Sequence, residues 1–234
     1  MLNLRVPRPA GIDRRTIPRR AHAALAGSLA LAALLALGCA EAVRTQTHPA
    51  LYELERPIRS IAVVPFRPTG SLPKQRDATV GPAPSVATAL VSRHVGEALA
   101  KRGVSIVAAE DSARALSLEG GVSERLIPRA VARQMHDEFG VDAVVLGEVW
   151  RYQERSGQAA GTRQPASIGF EVVLFEAPSG RKLWSGVFDE TQRALSENVL
   201  NAGRYPGGGT RWLTADELLR WGAAETAAIV PLGR

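Results

Sequence analysis

"ASIGFEVVLFEAPSGRKLWSGVFDETQ", residues 166–192, is the stretch on which the fold turns. Its first part sets Ile168, Phe170, Val172 and Leu174 two residues apart, the period of a strand with one face on a core. "PSG" (178–180) interrupts the run as a turn signal, and "RKLWSGVFDETQ" (181–192) supplies a second strand. Two strands joined by so short a break pair antiparallel as a β-hairpin.

Upstream, strands and helices alternate. "RSIAVVPF" (59–66) is a β-branched run stopped by prolines, "VSIVA" (104–108) is a second such run, and "VDAVVLGEVWRYQ" (141–153) a third. Between them "SVATALVSRHVGEALAKRG" (85–103) places Val86, Leu90, Val91, Val95 and Leu99 on one helical stripe, with Gly103 at its stop. "SERLIPRAVARQMHDEFG" (123–140) reads as a helix opened by Ser123, with Pro128 a break or restart near its front. "TADELLRWGAAETAAIV" (214–230) opens with the capping box Thr214…Glu217 and ends at Pro231. The order is β-α-β-α-β-β-β-α. Right-handed crossovers make the first three strands parallel, and the hairpins make the fourth antiparallel. These rules predict an α/β fold with a single mixed five-stranded sheet, order 2-1-3-4-5, and helices mainly on one face.

The N-terminus is of another kind. Residues 1–20 carry six arginines and one acid, Asp13, and "AALAGSLALAALLALG" (23–38) carries no charge. A basic region, a short apolar run and small residues before a polar break make an export signal. Its sixteen uncharged residues fall short of the ~20 of a spanning helix. "ALGC" (36–39) resembles the bacterial lipobox, in which the cysteine is lipidated on sulfur and becomes the new N-terminus; Ala36 stands where leucine is usual. Cys39, the chain's one cysteine, is thus the expected lipid attachment point, against the plainer readings of a membrane anchor or a cleaved signal. "DRRTIPRR" (13–20) resembles a twin-arginine signal, but the favoured reading is a generic basic region, since arginine-rich starts are common in export signals. The expected organisation is a lipoprotein signal peptide over 1–38, lipidated Cys39 and a tether over 39–57, and a periplasmic α/β domain over 58–234. At about 3.3–3.6 Å per residue, such a tether reaches about 65 Å when extended.

The charge belongs largely to that signal. The whole chain has 29 basic and 23 acidic residues, net +6; removing residues 1–39, with six and one, leaves 23 and 22, net +1. A near-neutral mature chain gives no electrostatic footprint for nucleic acid.

"IAVVPF" followed by an amphipathic helix, then "GVDAVVLGEVWRY", then "SGRKLWSGVFDE", resembles a superfamily of bacterial envelope lipoproteins. It includes the curli-secretion lipoprotein, the amino-terminal domain of TolB and lipoprotein activators of penicillin-binding proteins. The resemblance spans residues 58–192. It implies an anticodon-binding-domain-like α/β fold, a non-enzymatic role in envelope assembly, and no catalytic residue. Attachment to the outer membrane on its periplasmic face is the further expectation, since Ala40 follows the cysteine where aspartate would signal inner-membrane retention. The expected partners are the membrane, through lipid on Cys39, an envelope protein and a second copy in a homo-oligomer.

The residues themselves carry little chemistry. There is no G-x-S-x-G and no H-E-x-x-H, and no metal or cofactor is expected. "SLPK" (71–74) fits S-x-x-K but sits among prolines. "YPGGGTRW" (205–212) looks like a phosphate-cradling loop without the G-K-[ST] that should follow, so a small-ligand binder using 203–213 is one alternative. A subunit of a secretion or export complex is another, although a membrane pore needs strands of ~10 residues. Glu148, Glu171 and Asp189 read as solvent-facing or arginine-paired, His94 and His136 as surface or boundary residues, and Trp150, Trp184 and Phe188 as sheet packing.

Strands one, three and five should point the same way, so the loops that leave them, 67–84, 154–165 and 193–213, should gather at one edge, where open sheets place binding loops. The candidate interaction residues there are Arg67, Lys74, Arg76, Arg155, Arg163, Arg204, Tyr205, Arg211 and Trp212. The helix-borne cations Arg93, Lys101 and Arg133 are expected to be neutral to binding.

Overall fold

A computed structural model of the chain describes residues 42–69, 72, 82–117, 126–193 and 203–233. Cys39, Lys74, Arg76 and Ser123 lie outside the described residues. Residues 41–234 form one unit. In chain order its strands are β1 (Val43–Thr47), β2 (Ser60–Val63), β3 (Arg67–Pro68), β4 (Ser105–Val107), β5 (Ala143–Gln153), β6 (Ser156–Gln158), β7 (Gly161–Gln164), β8 (Ser167–Glu176) and β9 (Lys182–Thr191). The helices are α1 (Pro84–Ala100), α2 (Ala109–Ala115), α3 (Pro128–Phe139) and α4 (Ala215–Ile229), with a 3-10 turn over Pro49–Glu53.

The principal sheet runs β1-β9-β8-β5-β2-β4, with β3 also paired to β5. The five expected strands stand in the expected 2-1-3-4-5 order, but the sheet has seven strands rather than five among the described residues. β3 is the continuation of the first strand: the chain leaves β2 at Val63 and rejoins β5 at Glu148. β1 comes from the stretch expected to be a tether. It lies antiparallel to β9, with Val43 opposite Phe188 and Thr47 opposite Trp184. Val43 reaches the core while Arg44–Thr47 stay exposed, so the strand is held by its ladder and carries too little apolar alternation to be read from sequence. The 3-10 turn that follows is tied to the sheet by His48 N–H donating to Leu183 O at 2.8 Å. Among the described residues the folded unit therefore includes β1, upstream of residue 58.

β2 is buried on both faces, as a parallel central strand must be. Ile61 and Val63 face one core with α1 and α4; Ala62 and Val64 face a smaller one with α3. The helices thus cover both faces, which corrects the one-face expectation. The larger core takes Phe170, Val172, Leu174, Trp184 and Phe188 from the hairpin, Val91, Val95 and Leu99 from α1, and Leu218 and Leu219 from α4. On α1, Ala87 is buried where Val86, assigned to the stripe, stays exposed. α3 starts at Pro128, whose missing N–H costs nothing in a first turn.

Gly180 and Gly147 are required by geometry. Gly180 closes the β8–β9 turn at φ 71°, and a Cβ there would lie 2.4 Å from Arg129 Cα. Gly147 in β5 lets the Phe66 ring lie on the strand; a Cβ would sit 2.3 Å from that ring.

Candidate functional site

β2, β5 and β9 run in the same direction, so their C-terminal ends do share one edge of the sheet. There β6 and β7 form a small hairpin within 154–165, and Trp212 N–H donates to Ala159 O at 3.0 Å, joining that hairpin to the loop before α4. Thr69 N–H donates to Val149 O at 2.9 Å, which brings the start of the first loop to β5.

The polar residues at this edge mostly hold one another. Glu190, at the end of β9, accepts from Arg204 Nη2 at 2.6 Å and from the Tyr205 hydroxyl. The Arg204 guanidinium lies 5.7 Å from the ring centres of both Tyr205 and Trp221, a cation–π arrangement. Tyr205 contacts Trp221 at 5.3 Å, Trp221 meets Phe188 edge-on at 5.5 Å, and Phe188 stacks on Phe170 at 5.4 Å. Burial, then the bond to Glu190, pushes the Tyr205 phenol far above its ordinary value, so it stays a proton donor. Buried Gln192 uses both ends of its amide, donating to Arg211 O at 2.9 Å and accepting from Leu213 N–H at 2.7 Å.

α4 begins under the same loop. Thr214 and Glu217 form the expected capping box, and Arg211 grips Glu217 with two bonds of 2.8 and 2.7 Å. That grip, helped by the Thr214 amide, lowers the Glu217 carboxyl to about 2. Glu154 accepts from Ala215 N–H at 3.1 Å, placing a carboxylate at the helix N-terminus, where the dipole favours it. Arg67 pairs with Glu148, and Arg151 with Asp189.

The structure brings Arg155, Arg163, Arg204, Tyr205, Arg211 and Trp212 to one edge with Arg67 near it, but gives most of them internal partners. Tyr205 is buried; Arg204 and Arg211 are ion-paired; Arg155 donates to Gly157 O at 2.9 Å. Arg163 is exposed and Trp212 half-buried. The glycine-rich loop is held at its flanks by Tyr205 and Arg211, while Gly207 and Gly208 stay exposed. No cluster of three metal-ligating side chains occurs among the described residues.

His94, expected at the surface or boundary, is buried. It is 6% exposed and lies between Glu97 (3.1 Å) and Asp216 (2.9 Å), one carboxylate at each ring nitrogen. This contact joins α1 to α4 beside a groove that Arg93, Lys101 and Arg220 line. The i,i+4 spacing of Arg93, Glu97 and Lys101 was legible as a stripe; that α4 would face it was not.

The architecture is thus a mixed α/β sheet with helices on both faces and loops gathered at one edge. No protein-family model and no curated protein matches the chain. Among solved structures it is similar to the PelC dodecamer from Paraburkholderia phytofirmans, with 16% identity over 82% of this chain and 98% of that one, TM-score 0.45. It is also similar to lipoprotein GNA1162 from Neisseria meningitidis, with 20% identity over 61% and 94% and TM-score 0.40. The C-terminal domain of LpoB from Escherichia coli gives 20% identity over 62% and 94%, TM-score 0.35. At these values the likeness assigns no functional residue.

Proposed function

We propose that the chain is a non-enzymatic, lipid-anchored protein of the bacterial envelope, held through Cys39 on the periplasmic face of the outer membrane and acting through protein contacts. The observation that carries this reading is "ALGC" at the end of an uncharged run that follows an arginine-rich start. The fold supports it in one respect. Because β1 starts at Val43, only three residues stand between the lipidated cysteine and the sheet, a reach of about 14 Å when extended, in place of the ~65 Å expected of a long tether. Such an anchor keeps the domain against its own membrane and favours partners in or on that membrane.

The loop edge, with exposed Arg163 and half-buried Trp212, is the surface proposed to meet such a partner. A pore-forming role is disfavoured, since β6 and β7 have three and four residues against the ~10 of a membrane strand.

The test is palmitate labelling in the native host. Cys39→Ser abolishes the label and leaves the precursor uncleaved at Gly38; a normally processed variant overturns the lipoprotein reading. Density-gradient fractionation then places the labelled protein with the outer membrane, and recovery from the inner membrane contradicts that assignment.

A further inference from the structure

α1 and α4 lie side by side over the sheet, and the crease between them is a groove of about 520 Å³, within the ~300–1,000 Å³ range of ligand sites. Its floor is Ala98, Ala224, Ala227 and Ala228. None has a side chain beyond Cβ, so the two helices leave the space unfilled. The walls carry Arg93, Lys101, Arg102 and Arg220, with Glu97 the one carboxylate among the lining residues. Asp216 adjoins through His94 and Arg220. Setting the two carboxylates against the four permanent cations leaves a surplus of two positive charges.

The cations differ in how firmly they are held. Arg102 is fixed by Nη1, which donates to Ala227 O, to Ala228 O at 3.0 Å and to Val230 O at 3.0 Å, capping the C-terminal carbonyls of α4. Its Nε and Nη2 have no hydrogen-bond partner among the described residues, and neither has the exposed Lys101. Arg93 stands 3.8 Å from Glu97, and Arg220 stands 2.7 Å from Asp216. Both are exposed i,i+4 pairs of the weak surface kind, so a ligand can redirect these side chains at little cost.

We propose that this groove binds a phosphate group. One guanidinium satisfies a single carboxylate, whereas three arginines and a lysine around one space suit a tetrahedral oxyanion with several acceptor oxygens. The alanine floor offers apolar contact to whatever carries the phosphate. A small phosphorylated molecule presents a monoester dianion, and a lipid head group presents a diester with one charge.

Calorimetric titration of the full chain in detergent, at ionic strength held constant with chloride, separates these sources. Inorganic phosphate probes the dianion and glycerophosphoglycerol the diester. Binding of either probe is expected. K101A/R220A should weaken it at least tenfold with the melting temperature unchanged. R102K keeps the charge but loses the fixed fork, and it should weaken binding severalfold. R133A, on α3, should leave it intact. No binding of either probe, unchanged affinity in K101A/R220A, or an equal loss in R133A overturns the proposal.

Discussion

Replacing Glu190 with alanine tests whether the polar edge holds the loops or serves as a free binding surface. The Glu190 and Arg204 side chains are 15% and 23% exposed, and Tyr205 is 3% exposed. Loss of the carboxylate removes a charge-assisted bond and strands the buried phenol. A hydrogen bond to a charged group contributes about 1.5–3 kcal/mol, and an unsatisfied buried donor costs about 1–3 kcal/mol. The two effects overlap, so about 3 kcal/mol is expected for Glu190→Ala and about 1.5 kcal/mol for Tyr205→Phe, which leaves Arg204 paired. For a domain of this size each kcal/mol moves Tm by about 2–4 °C, giving drops of about 9 and 5 °C. Differential scanning calorimetry of residues 41–234 supplies the values, and in vivo crosslinking supplies partner capture. If both variants melt within 2 °C of the parent yet lose capture, Glu190 and Tyr205 are binding residues and the structural account fails.

Arg163→Ala with Trp212→Ala, at the outward part of the edge, should reduce crosslinked partner at least severalfold with little change in Tm; retention of full capture removes this edge as the contact surface. Gly147→Ala should destabilise by about 3 kcal/mol, since overpacking a tight core costs about 1–3 kcal/mol or more and the Phe66 ring stands 2.3 Å from the new Cβ. Phe66→Leu in the same chain should recover part of that loss; denaturant melts showing simple additivity would refute the clash. The Glu217 carboxyl lies at about 2 in the folded state, below the ~4.3 of an unfolded chain. Its stabilisation is therefore present above pH ~4.3 and lost as pH falls towards 2. The Tm difference between the parent and Arg211→Ala should shrink across that window, and a constant difference from pH 6 to pH 2 would show that the grip does not set the carboxyl's titration.

The sequence by itself determined what depends on local period and short-range chemistry. The alternation of Ile168, Phe170, Val172 and Leu174 with the turn at Gly180 defined the hairpin, and Thr214…Glu217 defined the start of α4. Handedness and strand succession set the directions of the five strands, whereas the place of β5 beside β2 rather than β4 pairs strands that are not neighbours in the chain. Only the tertiary structure decided the rest. β1 carries no pattern of its own; it is a strand because β9 offers an unpaired ladder, so the tether was read too long. The helices divide between both faces because β2 buries Ile61 and Val63 on one side and Ala62 and Val64 on the other, and a continuous apolar run does not say which helix covers which side. Arg204, Tyr205 and Arg211 appeared as free loop cations and an aromatic, whereas Glu190, Trp221 and Glu217 come to them from other elements. The α1–α4 groove was hidden for the same reason. A stripe of cations on one helix is a solvated face until a second helix is laid beside it, and that placement is set by burial of Leu99, Leu218 and Leu219 rather than by the charges themselves.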